Sequence, residues 1–117
     1  MFFITIIVLA IYSFKLTNTC NDLINKCEVL EQSIKSDSWE ASYNDSVDLL
    51  KRWEKENSVI SSMVHHSEVD NMNNELWKLT QYTKFNNKEE SLASIHVIKF
   101  LLKHIIEMER INITNIL

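Results

Sequence analysis

The densest run of residues able to do chemistry in this chain is one short stretch, His65-His66-Ser67-Glu68-Val69-Asp70, with four potential ligands or proton carriers. On a helix, His66 and Asp70 are four apart and share a face, while His65 and Glu68 are three apart on a neighbouring one. Imidazole beside carboxylate is the material of proton relays and metal centres, and histidine changes charge near physiological pH. A zinc or iron centre, however, needs three or four ligands converging at about 2.0–2.3 Å. The missing ligands would have to come from another helix, from His96, His104, Glu107 or Glu109. The His-Glu-x-x-His pattern of zinc proteases is absent. The plainer expectation is that His66 turns inward, bonds Asp70 or a backbone carbonyl, and packs on an aromatic ring. His65, His66, Glu68 and Asp70 therefore stand as a polar cluster, with no metal, cofactor or catalytic residue assigned.

Other chemistries find less support. There is no glycine-rich phosphate loop and no nucleophile elbow, and neither Cys20 nor Cys27 has an adjacent histidine or arginine to activate it. The two cysteines are seven apart on one expected helix, about 10 Å along its axis, which excludes a disulfide within the chain. A bridge between two parallel chains is one reading, and two free thiols is the plainer one. Lipidation at Cys20 is disfavoured by Thr17 and Thr19 ahead of it. An enzyme is not expected. A net charge of −4 with no basic block argues against a nucleic-acid partner and against a polybasic lipid-binding segment.

The elements that must carry these residues are helices. The chain has 117 residues, enough for one domain, and neither glycine nor proline. Tight hairpins depend on those two residues, whereas helices joined by Asn, Ser and Asp turns need neither. From Met1 to Phe14 no side chain is charged, and Lys15 is the first that is. A spanning helix wants about 20 apolar residues, so this run suffices if Lys15 snorkels and the helix continues to Thr19. Residues 1–19 are thus expected to form a membrane anchor and residues 20–117 a helical bundle. A cleaved signal peptide fits less well, for want of a basic start and of small residues at a cleavage site.

Leu23, Ile24, Cys27, Leu30 and Ile34 continue the anchor as one helix to about Lys35. Asp37 with Glu40 reads as a capping box opening a second helix near Ser38, and Trp39, Tyr43, Val47, Leu50 and Trp53 form its apolar stripe. A third helix of about 25 residues, capped by Asn57 or Ser58, would carry Val59, Ile60, Met63, Val64, His66, Val69, Met72, Leu76, Leu79 and Tyr82. Trp77 is read as bundle packing. Asn87 with Glu90 repeats the capping pattern. The last helix then buries Leu92, Ile95, Ile98, Leu102, Ile105 and Ile106, with Phe100 and Leu101 widening the stripe. The apolar end, through Leu117, is expected to dock on the bundle. The fold class is all-α: an N-terminal transmembrane helix running into a small antiparallel bundle, with tetratricopeptide-like helix pairs as the alternative.

The apolar start, Ser38-Trp39-Glu40-Ala41, Trp53, the His65–Asp70 stretch, Glu107-x-Glu109 and the closing Asn115-Ile116-Leu117 together resemble a family of small single-anchor proteins from spore-forming Firmicutes, known only as a domain of unknown function. The chain departs from it in lacking a short basic lead before the apolar run. The resemblance implies a helical domain on the outer side of the cell membrane, anchored by one span, with a multi-pass membrane protein as partner, and it implies no activity. The expected function is that of an accessory or scaffold protein presenting a helical domain beside the bilayer to an integral membrane partner. The alternative is a metal- or pH-sensing domain using His65, His66 and Asp70. Anchor self-association is not indicated, since the apolar run lacks a small-xxx-small pattern.

Overall fold

The structure, a computed structural model, describes residues 1–61 and 64–116, those at 57–59 and 116 by backbone alone. It contains four helices, α1 (Phe2–Lys35), α2 (Trp39–Ser61), α3 (His66–Lys84) and α4 (Lys88–Ile116), and no strand among the described residues. Each helix packs on the next, and α4 returns to pack along α1, which closes the ring into an antiparallel bundle. A solenoid of helix pairs would leave its first and last helices apart, so the tetratricopeptide-like alternative is set aside. The molecule is 53 Å long and 22 × 21 Å across, a length that matches a 34-residue α1 at about 1.5 Å per residue.

α1 does two jobs in one unbroken helix. Phe2, Phe3, Ile4, Ile7, Val8, Ile11 and Phe14 are exposed, whereas Leu16, Cys20, Leu23, Cys27, Leu30 and Ile34 are buried at spacings of three and four. α1 is also the one helix among the described residues long and apolar enough to cross a membrane. α2 adds Leu49, Leu50, Trp53 and Ile60 to the core; α3 adds Val69, Met72, Leu76 and Leu79; α4 adds Ile95, Ile98, Leu102 and Ile105. α4 stays helical to Ile116, with Ile113 half-buried and Ile111 exposed; Leu117 lies outside the described residues.

The α1–α2 and α3–α4 turns use one solution. Asp37 and Asn86 take positive φ, 60° and 57°. In each turn the next amide reaches back five positions, Ser38 N–H to the Ser33 carbonyl and Asn87 N–H to the Tyr82 carbonyl. This is the Schellman C-terminus that glycine usually supplies, here assigned to Asp and Asn, which tolerate the left-handed region best among the other residues. The capping box expected from Asp37 is therefore corrected: Asp37 ends α1, and Ser38 precedes α2, its carbonyl accepting from Ser42 N–H at 2.8 Å. Asn87 does cap α4, its Oδ1 accepting from Glu90 N–H at 3.1 Å. Lys88 then ties the two turns together at one end of the bundle, donating to the Lys35 carbonyl at 3.1 Å and meeting Asp37 at 3.3 Å.

Two further expectations are corrected. Helix two does not stop at Asn57-Ser58 but runs to Ser61, because Ile60 falls two turns after Trp53 and continues its buried line. α3 accordingly starts only at His66; Met63 and the Val59 side chain lie outside the described residues. The buried line of α2 is also rotated from the stripe read in the sequence. Ser42, Ser46, Leu49 and Trp53 face inward, while Tyr43 is exposed and Trp39 and Val47 are half-buried. The serines bury their hydroxyls on backbone carbonyls, Ser42 on Ser38 and Ser46 on Tyr43, and Ser46 also meets Thr83 Oγ1 at 3.1 Å. Small side chains let α2 and α3 approach closely at that level. Further along, Trp53 donates its indole N–H to Asn73 Oδ1 at 2.7 Å.

Candidate functional site

The end of the bundle opposite the two turns is closed by the start of α3 and the last third of α4. α3 begins with His65 as its N-cap residue, in an extended conformation and without a side-chain cap bond. Between this corner and α4 lies a cavity of about 350 Å³ with His65, Glu68, Glu109 and Asn112 around it. Val64, Ile105 and Met108 supply its apolar wall. Glu109 is only 7% exposed, and no hydrogen bond or ion pair reaches its carboxylate among the described residues. Glu68 is held differently, its Oε1 2.8 Å from His104 Nε2. His104 in turn stacks on Phe100, with ring centroids 6.2 Å apart and planes within 6°. The pocket thus carries two carboxylates, an amide and two imidazoles at or near its rim and, among the described residues that line it, no lysine or arginine.

The stretch singled out in the sequence divides here. His65 and Glu68 line the pocket, whereas His66 and Asp70 are exposed on another face of α3. His66 does not turn inward, because the core line of α3 runs through Val69, Met72, Leu76 and Leu79 and leaves it on the flank. Among the described residues no three His, Cys, Asp or Glu side chains converge in a way that could hold a metal ion. Of the possible additional ligands, His104 reaches Glu68, His96 turns instead to Glu31 at 3.6 Å, Glu107 pairs with Arg110 on the surface, and Glu109 lies in the pocket. Glu109 had a signal in the sequence: it continues the line Ile95, Ile98, Leu102, Ile105 at a spacing of four, so a carboxylate stands where an aliphatic residue is expected.

A second buried charge lies midway between α1 and α4. Glu31, 6% exposed, accepts from Lys99 Nζ at 3.4 Å, and Lys99 also reaches Glu28 at 3.5 Å. This pair sets the register of the two helices. Both cysteines are buried and free, which corrects the reading of a bridge between two chains, since neither sulfur reaches the surface of the bundle. Burial pushes the Cys27 thiol up to about 12, with Lys99 nearby opposing that rise. A thiol held protonated is neither a nucleophile nor a metal ligand. Trp77 and Phe100, expected to pack inside, are 57% and 68% exposed. Each lies outside the core line of its helix, where no facing helix covers it.

No curated protein and no solved structure matches the chain. One family model does, described as a domain of unknown function, and it matches residues 10–116, from the middle of the apolar run to the end of α4. The chain belongs to that family, DUF4363.

Proposed function

We propose that this chain is a single-pass, membrane-anchored accessory or scaffold protein, without catalytic activity of its own, that holds a helical bundle against the bilayer for an integral membrane partner. The observation that carries the reading is the division of α1. Its apolar half, Phe2–Phe14, is mostly exposed, with only Ile6, Leu9 and Ser13 half-buried, and its second half is the spine of the core. A run of large apolar side chains left in water is costly, and lipid removes that cost. The anchor is assigned to residues 1–19 and the bundle to residues 20–117, with burial along α1 beginning at Leu16. Tethering raises the effective concentration of a partner in the same membrane, so a modest contact suffices. The reading extends to the cell membrane of a spore-forming Firmicute, with the bundle on the outer side and a multi-pass protein as partner.

The test is a reporter active only outside the cytoplasm, fused after Leu117 of the full chain, combined with alkaline extraction of membranes. Reporter activity in a fraction that resists extraction is the expected result. Extraction into the soluble phase refutes the anchor, and activity confined to the cytoplasm refutes the orientation.

A further inference from the structure

The geometry points to the pocket around Glu109 as the seat of a basic side chain, a lysine or arginine, carried by the membrane partner of this chain. The assignment rests on the accessory reading above and adds the site and the chemistry of the contact.

Charge comes first. Glu109 is more than nine-tenths buried, lines the pocket, and has no cationic or hydrogen-bonding partner among the described residues. The side chain is enclosed while its carboxylate, which is not among the fully buried unpaired atoms, still opens on the pocket, so an ammonium or guanidinium group entering from outside can reach it and form a charge-assisted hydrogen bond. Glu68 stands across the same pocket, and the Asn112 amide oxygen adds a further acceptor. Among the described residues the lining carries no lysine or arginine that could already fill this role or hold a phosphate. A zwitterionic lipid headgroup is therefore disfavoured relative to a side chain with cationic charge alone.

Position comes second. Lys99 meets Glu28 and Glu31. Glu109, ten residues further along antiparallel α4, therefore sits near the level of Asn18 to Asn21 on α1, roughly 6–10 Å beyond Phe14. On the anchored reading this is headgroup depth, where the lysine and arginine residues flanking a spanning helix extend their charged ends. Beside the pocket, Phe100 stacks on the same His104 that holds Glu68. Phe100 is exposed, so it offers apolar area beside the acidic pocket for a partner to cover.

The test places a photo-crosslinking amino acid at Asn112 of the full chain in its own cells, with the adduct mapped to the residue. Expected is a membrane protein joined within a few residues of a lysine or arginine at the end of a span. Glu109→Gln should lower that adduct roughly tenfold or more. Glu109→Lys should abolish it, and changing the mapped partner cation to glutamate should restore it. Glu68→Gln, which removes the second carboxylate of the pocket, one already engaged by His104, and keeps Glu109, should give a smaller loss, and tryptophan fluorescence checks that each variant folds. An adduct to lipid, to a second copy of the chain, or to a segment without a cation overturns the assignment, as does an adduct indifferent to both Glu109 changes. A probe at Trp77 separates the two failures. A membrane protein captured there but not at Asn112 removes the pocket and leaves the accessory reading, whereas capture at neither position removes both.

Discussion

Replacing Lys99 by methionine leaves the Glu31 carboxylate without its closest cation. The pair joins α1 to α4 at 3.4 Å, with side chains 12% and 8% exposed. Removing one member of a buried ion pair costs about 3–5 kcal/mol, because the other charge stays desolvated. Two groups soften that loss, His96 at 3.6 Å and Lys35 at 3.9 Å. Both are more than half exposed, so each recovers only about 0.5 kcal/mol after solvent screening. The expected loss for Lys99→Met is then about 2–4 kcal/mol. The double variant Glu31→Met/Lys99→Met removes both charges and keeps the volume, and it should lie within about 1 kcal/mol of the parent or above it. Chemical denaturation of the full chain in non-ionic micelles reads both values. The signal is tryptophan fluorescence, in which buried Trp53 reports on the α2–α3 contact through its bond to Asn73. A loss below about 0.5 kcal/mol for the single variant would show that Glu31 is solvated. A double variant as unstable as the single would show that the pair does not act as a unit.

Two further outcomes follow from the core and the turns. Cys27, raised from 9.0 to about 12, should alkylate at pH 8 about a thousandfold more slowly in the folded chain than in denaturant, on thiolate population alone. Because its folded value lies above the unfolded one, its contribution to stability is complete below pH 9 and falls as pH rises from 9 toward about 12, which a denaturation series across that range measures. At the α3–α4 turn, Asn86→Val should cost about 1–2 kcal/mol, since a branched side chain resists the left-handed region, while Asn86→Gly should be neutral or slightly stabilising. Equal melting temperatures for the two variants would contradict the turn geometry.

Much of the fold was legible because it rests on spacing. The line from Leu23 to Ile34, the end of α1 at Lys35, the Asn87 cap and the α4 line from Ile95 to Ile105 follow from apolar periodicity and local cap chemistry alone. Asp37 misled because Asp-x-x-Glu is a good opening signal in isolation. In a chain without glycine, however, the left-handed residue that ends a helix must fall on some other type, and Asp37 and Asn86 stand at equivalent distances past Lys35 and Lys84. The α2 stripe misled because hydropathy gives serine no inward weight, yet Ser42 and Ser46 satisfy their hydroxyls on the helix itself and leave room for a close neighbour. The site was half legible. His65 and Glu68 stood out by type, but their association with Glu109 depends on where α3 begins, which no local signal marked.

On the anchored reading, the continuity of α1 has consequences beyond holding the bundle at the bilayer. Independent motion of anchor and bundle would need a break in the helix, and α1 contains neither proline nor glycine between its exposed and buried halves. A residue added to or removed from an α-helix turns everything beyond it by about 100°. The face of Phe2–Phe14 and the face that seats Leu16, Cys20 and Leu23 in the core are therefore locked in phase. α4 carries this phase to Glu109, because the Glu31–Lys99 pair fixes its register on α1. On the anchored reading, whichever side of the apolar segment meets a partner span also decides where the Glu109 pocket points. On that reading the buried pair, distant from the pocket, aims it, and the proposed partner would recognise the exposed apolar side chains of α1 and the pocket as one surface.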